Sequence, residues 1–157
     1  MKYFKFPKFP NLPDYFIEEL MEPSGFHKQY ENIKEDKPIY QIFSLPKHID
    51  LWLKIHVCDS DWVLDRAYTG NKIHIDKNSI IKLVYPIKLG GKIRTVFYDD
   101  NKNELESHYL KERQWCMFRT DLWHFPLTEN TYDGRMLLHT CLFKRDVPLS
   151  DDVRFRD

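Results

Sequence analysis

Residues 80–98 read IIKLVYPIKLGGKIRTVFY, and this stretch decides the fold class. Ile80–Leu89 and Ile93–Tyr98 are short, rich in β-branched and aromatic residues, and separated by Gly90-Gly91. Two such runs around a glycine pair spell two strands joined by a tight turn. The same pattern recurs on either side. Leu51–Cys58 (LWLKIHVC), Trp62–Tyr68 (WVLDRAY), Gln114–Arg119 (QWCMFR) and Arg135–Phe143 (RMLLHTCLF) read as further strands. Asp59-Ser60-Asp61, Gly70-Asn71, Asp99-Asp100-Asn101 and Asp133-Gly134 supply the turns between them. One helix is expected over Pro13–Met21 (PDYFIEELM), where Asp14 suits the N-cap and Phe16, Ile17, Leu20 and Met21 recur at helical spacing before Pro23 ends the run. Many short strands and one helix at the N-terminal side predict a mainly β sandwich or barrel with the helix packed outside.

The chain has 157 residues, which is the size of one domain, 1–157. Its 42% hydrophobic and 15% aromatic residues can build a core, so wholesale disorder is excluded. Lys and Arg number 24 against 24 Asp and Glu, and this balance argues against a surface that coats nucleic acid. No apolar run approaches the roughly 20 residues that span a bilayer. The opening MKYFKFPKFP mixes aromatic, basic and proline residues and lacks the apolar core of a signal peptide. Cys58, Cys116 and Cys141 are odd in number, widely spaced and set in apolar runs. They are expected to be packed thiols in a reducing cytoplasm.

Chemistry is expected at the histidines. There is no phosphate-cradling glycine loop and no GxSxG elbow. His-Ile-Asp occurs twice, at His48–Asp50 and at His74–Asp76. In an extended segment residues i and i+2 point the same way, so HxD can offer an imidazole and a carboxylate to one metal ion. With this many histidines and aspartates about one HxD is expected by chance, so company has to separate the two. For the second pair, His124 follows fifty residues later in FRTDLWHFP, and Arg135 opens the last apolar strand eleven residues beyond it. A competing set, His48, Asp50, His108 and Arg119, has similar spacing, but its distal histidine lies in the charged stretch SHYLKER and its arginine ends a strand.

The 71–143 segment resembles the Fe(II)- and 2-oxoglutarate-dependent oxygenase family, whose pattern is HxD, a distal histidine about fifty residues on, and an arginine or lysine about ten residues later. In size the chain is similar to small oxygenases of phages and marine bacteria. The resemblance implies a double-stranded β-helix (a jelly-roll, cupin-like core) and an oxidoreductase that hydroxylates an unactivated C–H with release of succinate and CO2. It implies that His74, Asp76 and His124 bind iron, a facial set suited to non-heme Fe(II), leaving positions for 2-oxoglutarate and O2. Arg135 would hold the far carboxylate of 2-oxoglutarate through a bidentate fork. Relatives often carry Ser or Thr two residues after that arginine, where this chain has Leu137, so a second contact to the cosubstrate is assigned to Tyr85. Alternation along the last strand sets His139 and Cys141 on the same face as Arg135. The implied partners are 2-oxoglutarate, O2 and a substrate that the sequence does not specify.

Two other classes remain open at this point. One is a cupin-like metalloenzyme that keeps the His/Asp/His set without using 2-oxoglutarate. The other is a jelly-roll binding or structural module in which the histidines are incidental, with His139 a core residue and Arg135 paired to an acid such as Asp133.

Overall fold

A computed structural model describes residues 2–68, 73–76, 79–128 and 134–142. Ten strands and two helices are arranged around antiparallel pairings. The larger sheet has the order β1 (Phe4–Lys5), β8 (Cys116–Arg119), β5 (Ile81–Lys88), β10 (Arg135–Leu142), β4 (Val63–Ala67), β3 (Lys37–Ser44) and β2 (Lys28–Lys34). The smaller sheet has the order β7 (Glu104–Tyr109), β6 (Ile93–Tyr98) and β9 (Trp123–Thr128). A backbone bridge between His74 and His124 adds the 73–76 segment to the free side of β9.

β5, in the middle of the larger sheet, is buried on both faces, which is why it reads as a largely apolar run. Leu83, Tyr85, Ile87, Leu64, Met136 and Leu138 pack on one face beneath α1 (Asp14–Leu20) and α2 (Lys47–His56), against Ile17, Leu20, Ile49 and Leu53. Val84 and Leu137 point the other way and join Ile93, Phe97, Phe118 and Leu122. The period-two alternation of each strand thus separates a helix-side core from the interior between the sheets.

The expected helix is present, although Pro13 occupies the N-cap and Asp14 lies in the first turn without a side-chain cap bond. Gly90 and Gly91, with φ of 70° and 154°, make the expected turn between β5 and β6. Three stretches differ from expectation. Leu51–Cys58 falls largely within α2 instead of forming a strand. Its alternating Leu51 and Ile55 are left exposed, while Ile49 and Leu53, four apart, bury on the sheet and an Asp50–Lys54 pair at 2.9 Å ties the outer face. Burial against the sheet overrides the alternation. The charged stretch at 104–109 is strand β7, paired along β6. Residues 28–44 form the β2–β3 hairpin, turned at Glu35-Asp36 with both φ positive, a turn that usually announces itself with glycine or asparagine. Gly70-Asn71, Asp133 and Phe143 lie outside the described residues. Among the described residues no helix is long and apolar enough to cross a membrane.

Candidate metal centre

The HxD segment and the start of β9 are held together by their backbones. The N–H of His74 donates to the carbonyl of His124 at 3.0 Å, and the N–H of His124 returns a bond to His74 at 2.9 Å. Directly opposed residues of an antiparallel pair share a face, so the two imidazole rings meet with centroids 4.4 Å apart. Asp76, two residues along, falls on that same face, and its N–H is fixed by the carbonyl of Thr120 at 2.9 Å. Beside this carbonyl, Arg119 grips the buried carboxylate of Asp121 with two hydrogen bonds of 2.9 and 2.6 Å.

Asp76 Oδ1 is 3.2 Å from Nε2 of His74 and 3.6 Å from Nε2 of His124. Adjacent ligands of an octahedral ion at ~2.1 Å stand ~3.0 Å apart, so these three donors fit one side of such an ion after small side-chain shifts. His124 is 4% exposed, and its Nδ1–H donates to the carbonyl of Leu122 at 2.8 Å. That bond sets the tautomer and turns the Nε2 lone pair toward Asp76. Burial pushes the His124 imidazole down to about 4, against the pull of Asp76, so it is a neutral ring ready to donate. Burial alone would raise the Asp76 carboxyl. The His74 hydrogen bond and the charge of Lys82 overcome it and hold the group well below the usual carboxylate range. Lys82 Nζ lies 3.6 Å from Oδ2, leaving Oδ1 as the oxygen facing the histidines.

Arg135, the first residue of β10, is buried on the interior face with His139. Register sets Arg135 opposite Ala67 and His139 opposite Val63, with Asp65 of β4 between them. Arg135 Nη2 stands 4.0 Å from Asp65 Oδ1, and His139 Nε2 makes a close ion contact of 2.9 Å with Oδ2. Among the described residues the acid facing Arg135 is Asp65; Asp133, the example given for the alternative reading, lies outside them.

Tyr85 does not join the site. It occupies the helix-side face of β5, 4.8 Å from the Trp115 ring, with its hydroxyl toward the backbone of Leu12. The cause is parity: Lys82 and Val84 take the interior face of β5, and Tyr85 takes the other. The competing histidine set is dispersed. His48 lies on α2, 55% exposed and 2.9 Å from Glu19, Asp50 pairs with Lys54, and His108 of β7 pairs with Glu106. Asp65 and Lys82 escaped sequence reading, although an acid and a lysine inside apolar strands were the available signal. The thiols divide as well. Burial pushes Cys116 up to about 12, as an inert packed thiol should be. At Cys141 burial acts in the same sense, but His139 and Lys82 outweigh it and draw the thiol down.

The sequence matches no protein-family model and no curated protein. Among solved structures, a Pseudomonas putida prolyl-4-hydroxylase aligns with a TM-score of 0.53 at 14% identity, over 90% of this chain and 92% of its own. In fold, the chain is similar to that hydroxylase. HppE in its Fe(II) form aligns more loosely, with a TM-score of 0.47 and 10% identity over 76% of this chain, which spans 58% of the HppE chain. Procruciferin, an 11S globulin from Brassica napus, gives 0.46 and 10% identity over 80% of this chain and 29% of its own. Fold likeness does not carry chemistry. Any activity must therefore come from the side chains.

Proposed function

We propose that this chain is an Fe(II)- and 2-oxoglutarate-dependent oxygenase built on a double-stranded β-helix. The route of the chain supports the fold. From β4 onward it alternates between sheets: β4 in the larger, 73–76 beside β9 in the smaller, β5 in the larger, β6 and β7 in the smaller, then β8, β9 and β10 by turns.

One observation carries the functional reading. His74, Asp76 and His124 converge with their donor atoms within 4.8 Å of one another. Two imidazoles and a carboxylate arranged facially suit Fe(II) and leave positions for exogenous ligands. Iron held there would supply the site at which O2, the oxidant, hydroxylates a C–H while 2-oxoglutarate, the co-reductant, is oxidised to succinate and CO2. The protein's own residues bind and orient. Nδ1 of His124 is tied to Leu122, so its ring does not rotate. Lys82 holds one oxygen of Asp76 and keeps the carboxylate from spreading over two coordination positions. Arg135, buried at the far end of β10, offers its fork to the distal carboxylate of the cosubstrate.

A second reading is favoured by one specific contact: Asp65 already faces Arg135, which gives the arginine a partner in a cupin-like metalloenzyme that uses no 2-oxoglutarate. Metal analysis of the purified protein, followed by succinate release from 2-oxoglutarate under air with added Fe(II), tests both. The proposal expects metal binding at one site and succinate formation. Metal without succinate moves the reading to the cupin-like class, and absence of metal binding leaves a jelly-roll binding module.

A further inference from the structure

Asp65, Arg135 and His139 are 3%, 8% and 7% exposed, so three ionisable side chains share one buried patch of the interior face. Buried charges are costly unless each is paired and hydrogen-bonded. Here one carboxylate serves both a guanidinium and an imidazole. Asp65 Oδ1, Arg135 Nε and both ring nitrogens of His139 lack a hydrogen-bond partner of good geometry among the described residues. Burial by itself would strip the proton from His139, but Asp65 reverses this and draws the imidazole above its ordinary value. Asp65 is in turn held below the carboxylate range, burial being outweighed by His139 and Arg135. With His139 protonated the patch carries one net positive charge, and with His139 neutral it carries none. A cleft of about 600 Å³, lined in part by Val63, His139 and Cys141, opens onto the His139 end of this patch, while Asp65 and Arg135 lie behind its lining.

We propose that His139 is the second cation of an anion site it forms with Arg135, so that a carboxylate binds here together with a proton. The inference rests on the reading above, in which that carboxylate is the distal one of 2-oxoglutarate. The reason is charge balance. Arg135 already faces Asp65, so an incoming carboxylate would set two anions against one guanidinium in a poorly solvated site. An imidazolium restores neutrality, and its two N–H groups supply the charge-assisted donors an anion needs.

The other groups around His139 leave this assignment to it. Lys82 of β5 is engaged with Asp76. Tyr40 of β3 is a phenol that burial pushes up, so it stays protonated. Arg135 keeps its charge throughout. On the outer wall of the cleft Asp50 is paired with Lys54 of its own helix, and Asp61 lies at the exposed rim. Cys141 is the competing proton carrier, and a substitution there separates the two.

The test uses protein saturated with Zn(II), which binds without redox turnover, titrated calorimetrically with 2-oxoglutarate from pH 6 to pH 9 in two buffers of different ionisation enthalpy. Wild type is expected to take up close to one proton per ligand on the alkaline side, with affinity falling by up to about tenfold per pH unit above the free His139 value. His139→Gln is expected to bind about tenfold more weakly at pH 6 and to lose the slope. His139→Arg should restore affinity with a flat profile, and Cys141→Ser should retain the wild-type slope. Should the glutamine variant not fold, the imidazole titration of His139 in wild type, followed by NMR, must move up by at least about one pH unit on saturation with 2-oxoglutarate. Binding without proton uptake, a slope that survives His139→Gln, or an unmoved titration overturns the role of His139 and leaves the oxygenase reading intact. Failure of metal-loaded wild type to bind 2-oxoglutarate at any pH overturns both.

Discussion

Replacing Asp76 by asparagine keeps the shape of the side chain and removes its charge. In the native site Oδ1 faces two imidazole nitrogens at 3.2 and 3.6 Å, while Oδ2 faces Lys82 at 3.6 Å. A divalent ion beside Oδ1 would stand ~6 Å from the ammonium, a repulsion of ~5 kcal/mol at an effective dielectric constant of ~20. The carboxylate, in direct contact with the ion, more than cancels this; an amide does not. Disturbing only the outer partners of a metal site costs about 10–100-fold in affinity, so losing the anionic ligand itself sets a floor of about 100-fold, or about 2.7 kcal/mol. Metal-free stability should fall only a little, because the Lys82 contact that the amide loses is a partly solvated ion pair at 3.6 Å. A change under about 1 kcal/mol corresponds to about 2–4 °C in Tm. Calorimetric titration of Fe(II) under nitrogen, or of Co(II), against both proteins reads the first quantity, and a thermal melt with chelator reads the second. Metal affinity within about threefold of wild type would refute the assignment of Asp76 as a ligand.

Three further outcomes are expected. Arg135→Gln should keep iron but weaken 2-oxoglutarate by at least about tenfold, with Arg135→Lys milder because charge survives and the fork does not; ligand titration of the metal-loaded variants checks both. Tyr85→Phe should lower stability by about 1 kcal/mol, through the lost contact of its hydroxyl with the Leu12 backbone, and leave 2-oxoglutarate affinity unchanged, since the ring lies on the helix side. Asp65→Asn should destabilise by about 3–5 kcal/mol by stranding Arg135 and His139. In wild type the Asp65–His139 contribution is complete below the ordinary histidine value of 6.5, and melts should show it fading as pH rises through the elevated His139 value. In Asp65→Asn that alkaline loss should vanish.

That His74, Asp76 and His124 gather in one place was legible because part of the signal is local. Alternation in His-Ile-Asp sets an imidazole and a carboxylate on one face, and the resemblance pointed to His124 fifty residues on. Register, by contrast, is long-range. Nothing near Asp65 in sequence says that β4 pairs with β10 so as to place it between Arg135 and His139. Tyr85 was misplaced by one step of parity, since in a strand a single residue separates interior from exterior. The helix at 47–56 was hidden because its alternation is genuine, and only burial of Ile49 and Leu53 against a sheet assembled from distant segments decides between the two periods.

Lys82 has a consequence for how the protein would live with its metal. The ammonium 3.6 Å from Asp76 offsets the one carboxylate of the site before an ion arrives. Sites that hoard divalent ions do the opposite and concentrate negative charge. Under the proposed function, an ion at His74, Asp76 and His124 would then exchange with its surroundings, and the fraction of molecules able to work would follow the ferrous supply around them.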